Sequence, residues 1–99
     1  MAGPYTVVAN DIAKHGFTLT ANTVETVSFL GNVAAVEVIS DGSAACFYTV
    51  DGTTPTVNGG NCYILPAGSV SVDTRRMDGP ADVLKFISTG TPTLSVQRA

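Results

Sequence analysis

The sequence predicts an all-β chain, a compact antiparallel β-sandwich or small barrel of about seven or eight short strands, and three observations carry that expectation. Thr and Val each occur 13 times in 99 residues, and a branched Cβ suits a pleated strand while restricting χ1 in a helix. Apolar and polar residues alternate with a period of two along most of the chain, which is strand spacing and not helix spacing. Ten glycines and five prolines cluster between the alternating runs, where turns need a positive or a fixed φ. The length suits one domain with a single core.

Residues 1–15 differ in kind from the rest. Tyr5-Thr6-Val7-Val8-Ala9 reads either as an edge strand of the sheet or as an N-terminal arm that reaches a neighbour, and residues 10–14 read as one helical turn or a loop. From residue 16 onward a single sandwich domain is expected. Phe17 and Leu19 alternate with Thr18 and Thr20, Val27 and Phe29 with Thr26 and Ser28, and Val36 and Val38 with Ala35, Glu37 and Ile39. Tyr48 and Val50 flank Thr49, Val70 and Val72 alternate with Ser69, Ser71 and Asp73, and Leu94 and Val96 alternate with Thr93, Ser95 and Gln97. Each predicts a strand with one buried face. Val83–Ile87 is apolar at every position but Lys85, which predicts a central strand covered on both sides, with the lysine stem lying along apolar surface. Asp41-Gly42, Asp51-Gly52, Asn58-Gly59-Gly60, Pro66-Ala67-Gly68 and Gly90-Thr91-Pro92 supply turns, as do Gly31-Asn32 and Asp78-Gly79-Pro80.

Charge narrows the function classes. Charged residues are 13% of the chain and the net charge is −3. No Lys or Arg lies between Lys14 and Arg75, while Glu25, Glu37, Asp41, Asp51 and Asp73 do. Phosphate neutralisation needs clustered cations, so nucleic-acid binding is not expected. The opening Met1–Tyr5 has neither the cationic start nor the apolar stretch of a secretory signal, and no segment approaches the ~18 apolar residues of a membrane span. Assembly in a cytoplasm, away from membranes, is the expectation.

Cys46 and Cys62 are equidistant from Thr54, so a hairpin centred there would place them face to face. They read as a cross-strand disulfide or as buried free thiols, and a cytoplasmic setting favours thiols. Two cysteines without nearby His fall short of a metal site. The sole histidine, His15, has no visible orienting partner, and Asp41 and Asp51 precede glycines in turns that already account for them. No enzyme, cofactor or metal is expected.

Two resemblances bear on function. Val36–Ser43, Phe47–Val57, Cys62–Gly68 and Val83–Pro92 together resemble the small β-sandwich virion proteins of tailed bacteriophages, across roughly residues 23–97. The resemblance implies a structural protein of the particle, a capsid decoration (head accessory) protein. It would bind the major capsid protein of the phage head as a homotrimer or other small oligomer and reside on the capsid surface of the virion. A tail accessory protein, or an immunoglobulin-like carbohydrate-associated module, is the alternative. Tyr48–Thr56 is also similar to a hairpin of the immunoglobulin-like modules appended to chitobiase-type and other carbohydrate-active enzymes, which implies the sandwich and an exposed hairpin. Sugar platforms present aromatic rings, and this chain has no Trp and only Tyr5, Tyr48 and Tyr63 as tyrosines.

Work done by surfaces fits the low charge, because interface cores are depleted in charged residues. The candidate partner contacts are Tyr5, Val7 and Lys14 in the N-terminal segment, Thr53, Thr54 and Pro55 in the Asp51–Gly60 loop, and the basic pair Arg75 and Arg76.

Overall fold

The computed structural model describes residues 3–31, 33–77 and 82–99 and forms nine strands. They are β1 (Tyr5–Val7), β2 (Ala13–Thr18), β3 (Glu25–Phe29), β4 (Ala35–Ser40), β5 (Cys46–Thr49), β6 (Tyr63–Leu65), β7 (Ser71–Arg76), β8 (Val83–Ser88) and β9 (Thr93–Arg98). One sheet has the order β1-β3-β8-β5-β6 and the other β2-β9-β4-β7. All neighbours run antiparallel except β1 and β3, which are parallel with Tyr5 opposite Val27 and Val7 opposite Phe29.

Alternation builds the core. Val27 and Phe29, Val36 and Val38, Cys46 and Tyr48, Leu84 and Phe86, and Leu94 and Val96 are buried i, i+2 pairs that meet between the two sheets. Their neighbours in sequence point outward. Large aromatic and aliphatic side chains buried in this way stabilise by roughly 1.5–3 kcal/mol each.

The N-terminal segment takes the edge-strand form, over Tyr5–Val7 and not as far as Ala9. Ala13 and Lys14, expected within a helical turn or a loop, are already in strand β2. Gly16 adopts φ +67° and its N–H donates to Ser95 Oγ at 3.0 Å, and the pairing with β9 slips between Lys14 and Phe17. That is a bulge at the residue type which tolerates it. β6 has only three residues, too few to show a period, and its presence raises the strand number to nine.

Two burial expectations are corrected. Val70 and Val72 alternate as expected but point outward, at 66% and 59% exposed. β7 pairs Asp73 with Val38 and Arg75 with Val36, so its inward face is the polar one. β8 is the central strand of its sheet, yet its outward residues Val83, Lys85 and Ile87 are only half-buried. The strand buried at every position is β5. The loop that follows folds back over its outer face: the Thr49 hydroxyl donates to Thr53 O at 2.6 Å, and Asp51 Oδ1 accepts from the Thr53 N–H (3.1 Å) and hydroxyl (2.6 Å). Pro55 is buried in this loop, while Asp51, Thr53, Thr54 and Thr56 around it are exposed. The expected turns at Asn32 and at 78–80 include positions outside the described residues.

Candidate interaction surface

A sandwich has two lateral mouths where the sheets part, and here both are closed by an aromatic ring under a cation. Five rings run from one mouth to the other. Tyr5 meets Phe17 at 5.3 Å between centroids, Phe17 meets Phe86 at 5.8 Å, Phe86 meets Tyr48 at 5.5 Å and Tyr48 meets Tyr63 at 5.6 Å. Lys14 Nζ lies 4.9 Å from the centre of the Tyr5 ring at the first mouth, and the Arg75 guanidinium 3.9 Å from that of Tyr63 at the second. Each cation lets its stem cover apolar surface while its charge meets the ring face.

At the second mouth polar groups complete the seal. The Tyr48 hydroxyl donates to Asp73 Oδ2 at 2.6 Å and Arg75 Nε donates to the same oxygen at 3.0 Å. Burial, reinforced by the hydrogen bond to Asp73, pushes the Tyr48 phenol well above its ordinary range. Tyr63, Thr74, Arg75, Arg76 and Met77 line an open groove of about 480 Å³ there.

A different surface forms at the end of the sandwich where β1, β3 and β9 finish. Arg98 Nε donates to Asp11 O at 2.8 Å, and its Nη2 donates to Val8 O at 3.0 Å and Leu30 O at 2.6 Å. Its guanidinium also lies 5.3 Å from the centre of the Phe29 ring, and its own N–H donates to Ile12 O at 2.9 Å. One arginine thus ties the β1–β2 loop to the end of β3. Around it stand Val8, Ile12 and Leu30, with Ile12 at 68% exposed.

The candidate contacts fall in several places. Tyr5 and Lys14 meet at the first mouth and Arg75 occupies the second, with Arg76 exposed beside it. Thr53 and Thr54 are exposed on the loop over β5. Val7 and Pro55 are corrected: both side chains are buried within the chain and offer no surface. Arg98 was missed because a lone arginine near a chain end carries no pattern; the exposed Ile12 beside Asp11 was the available signal.

Cys46 does not face Cys62. It pairs with Leu65 and Ser88, and both cysteines are free. The hairpin is centred between Pro55 and Thr56, since Tyr48 opposes Tyr63. Cys46 is buried, which pushes its thiol up to about 12, whereas Cys62 is half-buried in the loop. His15 is exposed on β2.

Comparisons with protein-family models, with curated proteins and with solved structures give no significant match for this chain.

Proposed function

We propose that this chain is a structural protein of a tailed-phage particle, a capsid decoration protein that binds the major capsid protein and stabilises the assembled head. The observation that carries a docking role is the apolar surface of Val8, Ile12 and Leu30, whose backbone Arg98 fixes. Exposed apolar residues grouped on a rigid frame are a hallmark of interaction sites, and a surface already in its bound shape loses little entropy on docking. The phage resemblance supplies the partner. A protein that binds only the assembled lattice lowers the free energy of that lattice by mass action, which is how decoration would strengthen a shell.

The test is co-sedimentation with undecorated heads, followed by the melting temperature of the heads. The chain should pellet with heads and raise their melting temperature, whereas Ile12→Asp or Leu30→Asp should stay in the supernatant while remaining folded. Binding to purified tails instead would favour a tail accessory protein, and retardation in polysaccharide gels a carbohydrate-associated module. Either result, or no binding to heads, contradicts the reading.

A further inference from the structure

Four strands form the lateral edges of the two sheets, β1 and β6 in one and β2 and β7 in the other. A free edge is a template for another strand, and natural edges are blunted by shortness, bulges or charge. β1 and β6 have three residues each, and β2 is interrupted by the bulge at Gly16. β7 has six residues in unbroken register with β4, from Ser71 opposite Ser40 to Arg76 opposite Ala35. It is the one long, regular edge among the described residues.

Its outer hydrogen-bonding groups can be assigned. Met77 N–H donates to Ala34 O at 2.9 Å, which continues the β4 register. Backbone groups alternate along a strand, so the odd-numbered residues of β7 bond to β4, while the N–H and C=O of Val72, Thr74 and Arg76 point away from the sheet. All three residues are exposed.

We propose that β7 pairs antiparallel with β7 of a second copy, about a twofold axis through Thr74. Residues opposite one another share a face, so a twofold register centres on a residue. Centring on Asp73 would set two carboxylates against each other. Centring on Thr74 sets Asp73 opposite the partner's Arg75, and Arg75 opposite the partner's Asp73, so opposite charges meet twice, with Thr74 on Thr74 between them. On the outer face Val72 then lies opposite the partner's Arg76, whose stem covers it. The contact is isologous, closes at two copies, and joins the two four-stranded sheets into one continuous sheet. Of the homotrimer or other small oligomer that the phage resemblance implies, it selects a dimer. It is independent of head binding, because Val8, Ile12 and Leu30 adjoin β1, β2 and β3, toward the edges opposite β6 and β7.

Sedimentation equilibrium of the full chain tests this. The expected species is a dimer of twice 10.1 kDa. Thr74→Pro removes an outward N–H that β4 does not use, so it should give a folded monomer with an unchanged β circular-dichroism spectrum. Val72→Lys places a cation opposite the partner's Arg76 twice and should weaken association by about tenfold. Adding Arg76→Glu to Val72→Lys should restore it, because each lysine then faces a glutamate. A wild-type monomer or trimer overturns the proposal, and so does a dimer indifferent to Thr74→Pro or a charge pair that fails to recover.

Discussion

The Arg75 guanidinium lies over the Tyr63 ring at 3.9 Å while its Nε holds Asp73 at 3.0 Å, so a single side chain bridges the edge strands of both sheets. Tyr63 belongs to β6 and Arg75 to β7, and β6 is too short to hold that edge by backbone pairing alone. Replacing Arg75 with Ala should destabilise the fold by about 1–2 kcal/mol, counting the lost ring contact and an Asp73 left with Tyr48 alone. Arg75→Lys should recover part of it. A double-mutant cycle in urea denaturation with Tyr63→Ala should give a coupling of roughly 0.5–1 kcal/mol; additive losses would mean that the contact contributes nothing.

Phe86 sits in the middle of the aromatic row and Tyr5 at its end. Phe86→Ala should cost about 3–5 kcal/mol because its neighbours cannot close the void. Tyr5→Ala should cost clearly less, since solvent can fill the mouth. Equal shifts of the denaturation midpoint would contradict the edge-to-edge arrangement.

Gly42 and Gly52 both adopt positive φ, at 79° and 84°. A Cβ on Gly42 would strike the Ser69 backbone, whereas at Gly52 it would meet nothing. Gly52→Ala should therefore cost only the left-handed penalty of about 1–2 kcal/mol, and Gly42→Ala that penalty together with a clash that backbone must relieve. Thermal melts of the two variants check the order.

Stability should fall as pH rises above 9. The Cys46 thiol is raised by burial from 9.0 to about 12, and the Tyr48 phenol is raised above 10.0, first by burial. In that window the unfolded chain releases protons that the folded chain retains, so unfolding is favoured by about 1.4 kcal/mol per pH unit for each such group. On the acid side, Asp41 and Asp51 are held below 3.8, Asp41 first by the Ser43 N–H and Asp51 first by the Thr53 hydroxyl. Their contribution is complete above that value and is lost as pH falls through their folded values. Cys46→Ala should flatten the alkaline limb seen in urea titrations at stepped pH.

The two thiols should separate kinetically. Cys62 is half-buried on a loop and Cys46 is fully buried with a raised pKa, and the thiolate is the reactive form. A chromogenic disulfide reagent should titrate one thiol quickly in the native protein and the second only on unfolding. Two fast thiols would contradict the burial of Cys46.

The sheet alternation was legible because apolar residues at i and i+2 have one reason to recur, a buried face. Val27 and Phe29, Val36 and Val38, and Leu94 and Val96 all lie where that period places them. Val72 misled because the same period occurs on an edge strand whose inward side is polar: Asp73 and Arg75 are tied to Tyr48 and Tyr63, partners far away in sequence. The Cys46–Cys62 symmetry failed for a related reason. The hairpin centre is set by where Tyr48 meets Tyr63, and the loop between folds back so that Thr53 O accepts from the Thr49 hydroxyl. Of the candidate contacts, Lys14 was visible as an isolated cation and Arg75 as half of the Arg75-Arg76 pair, but their stacking on tyrosines depends on the sheet order.

Binding of the purified chain to undecorated tailed-phage heads, compared with the Ile12→Asp variant, tests the proposed function most directly. Wild-type protein should saturate the heads at a fixed number of copies and raise their melting temperature, and the variant should do neither. Heads that melt identically with and without the wild-type chain would contradict the account.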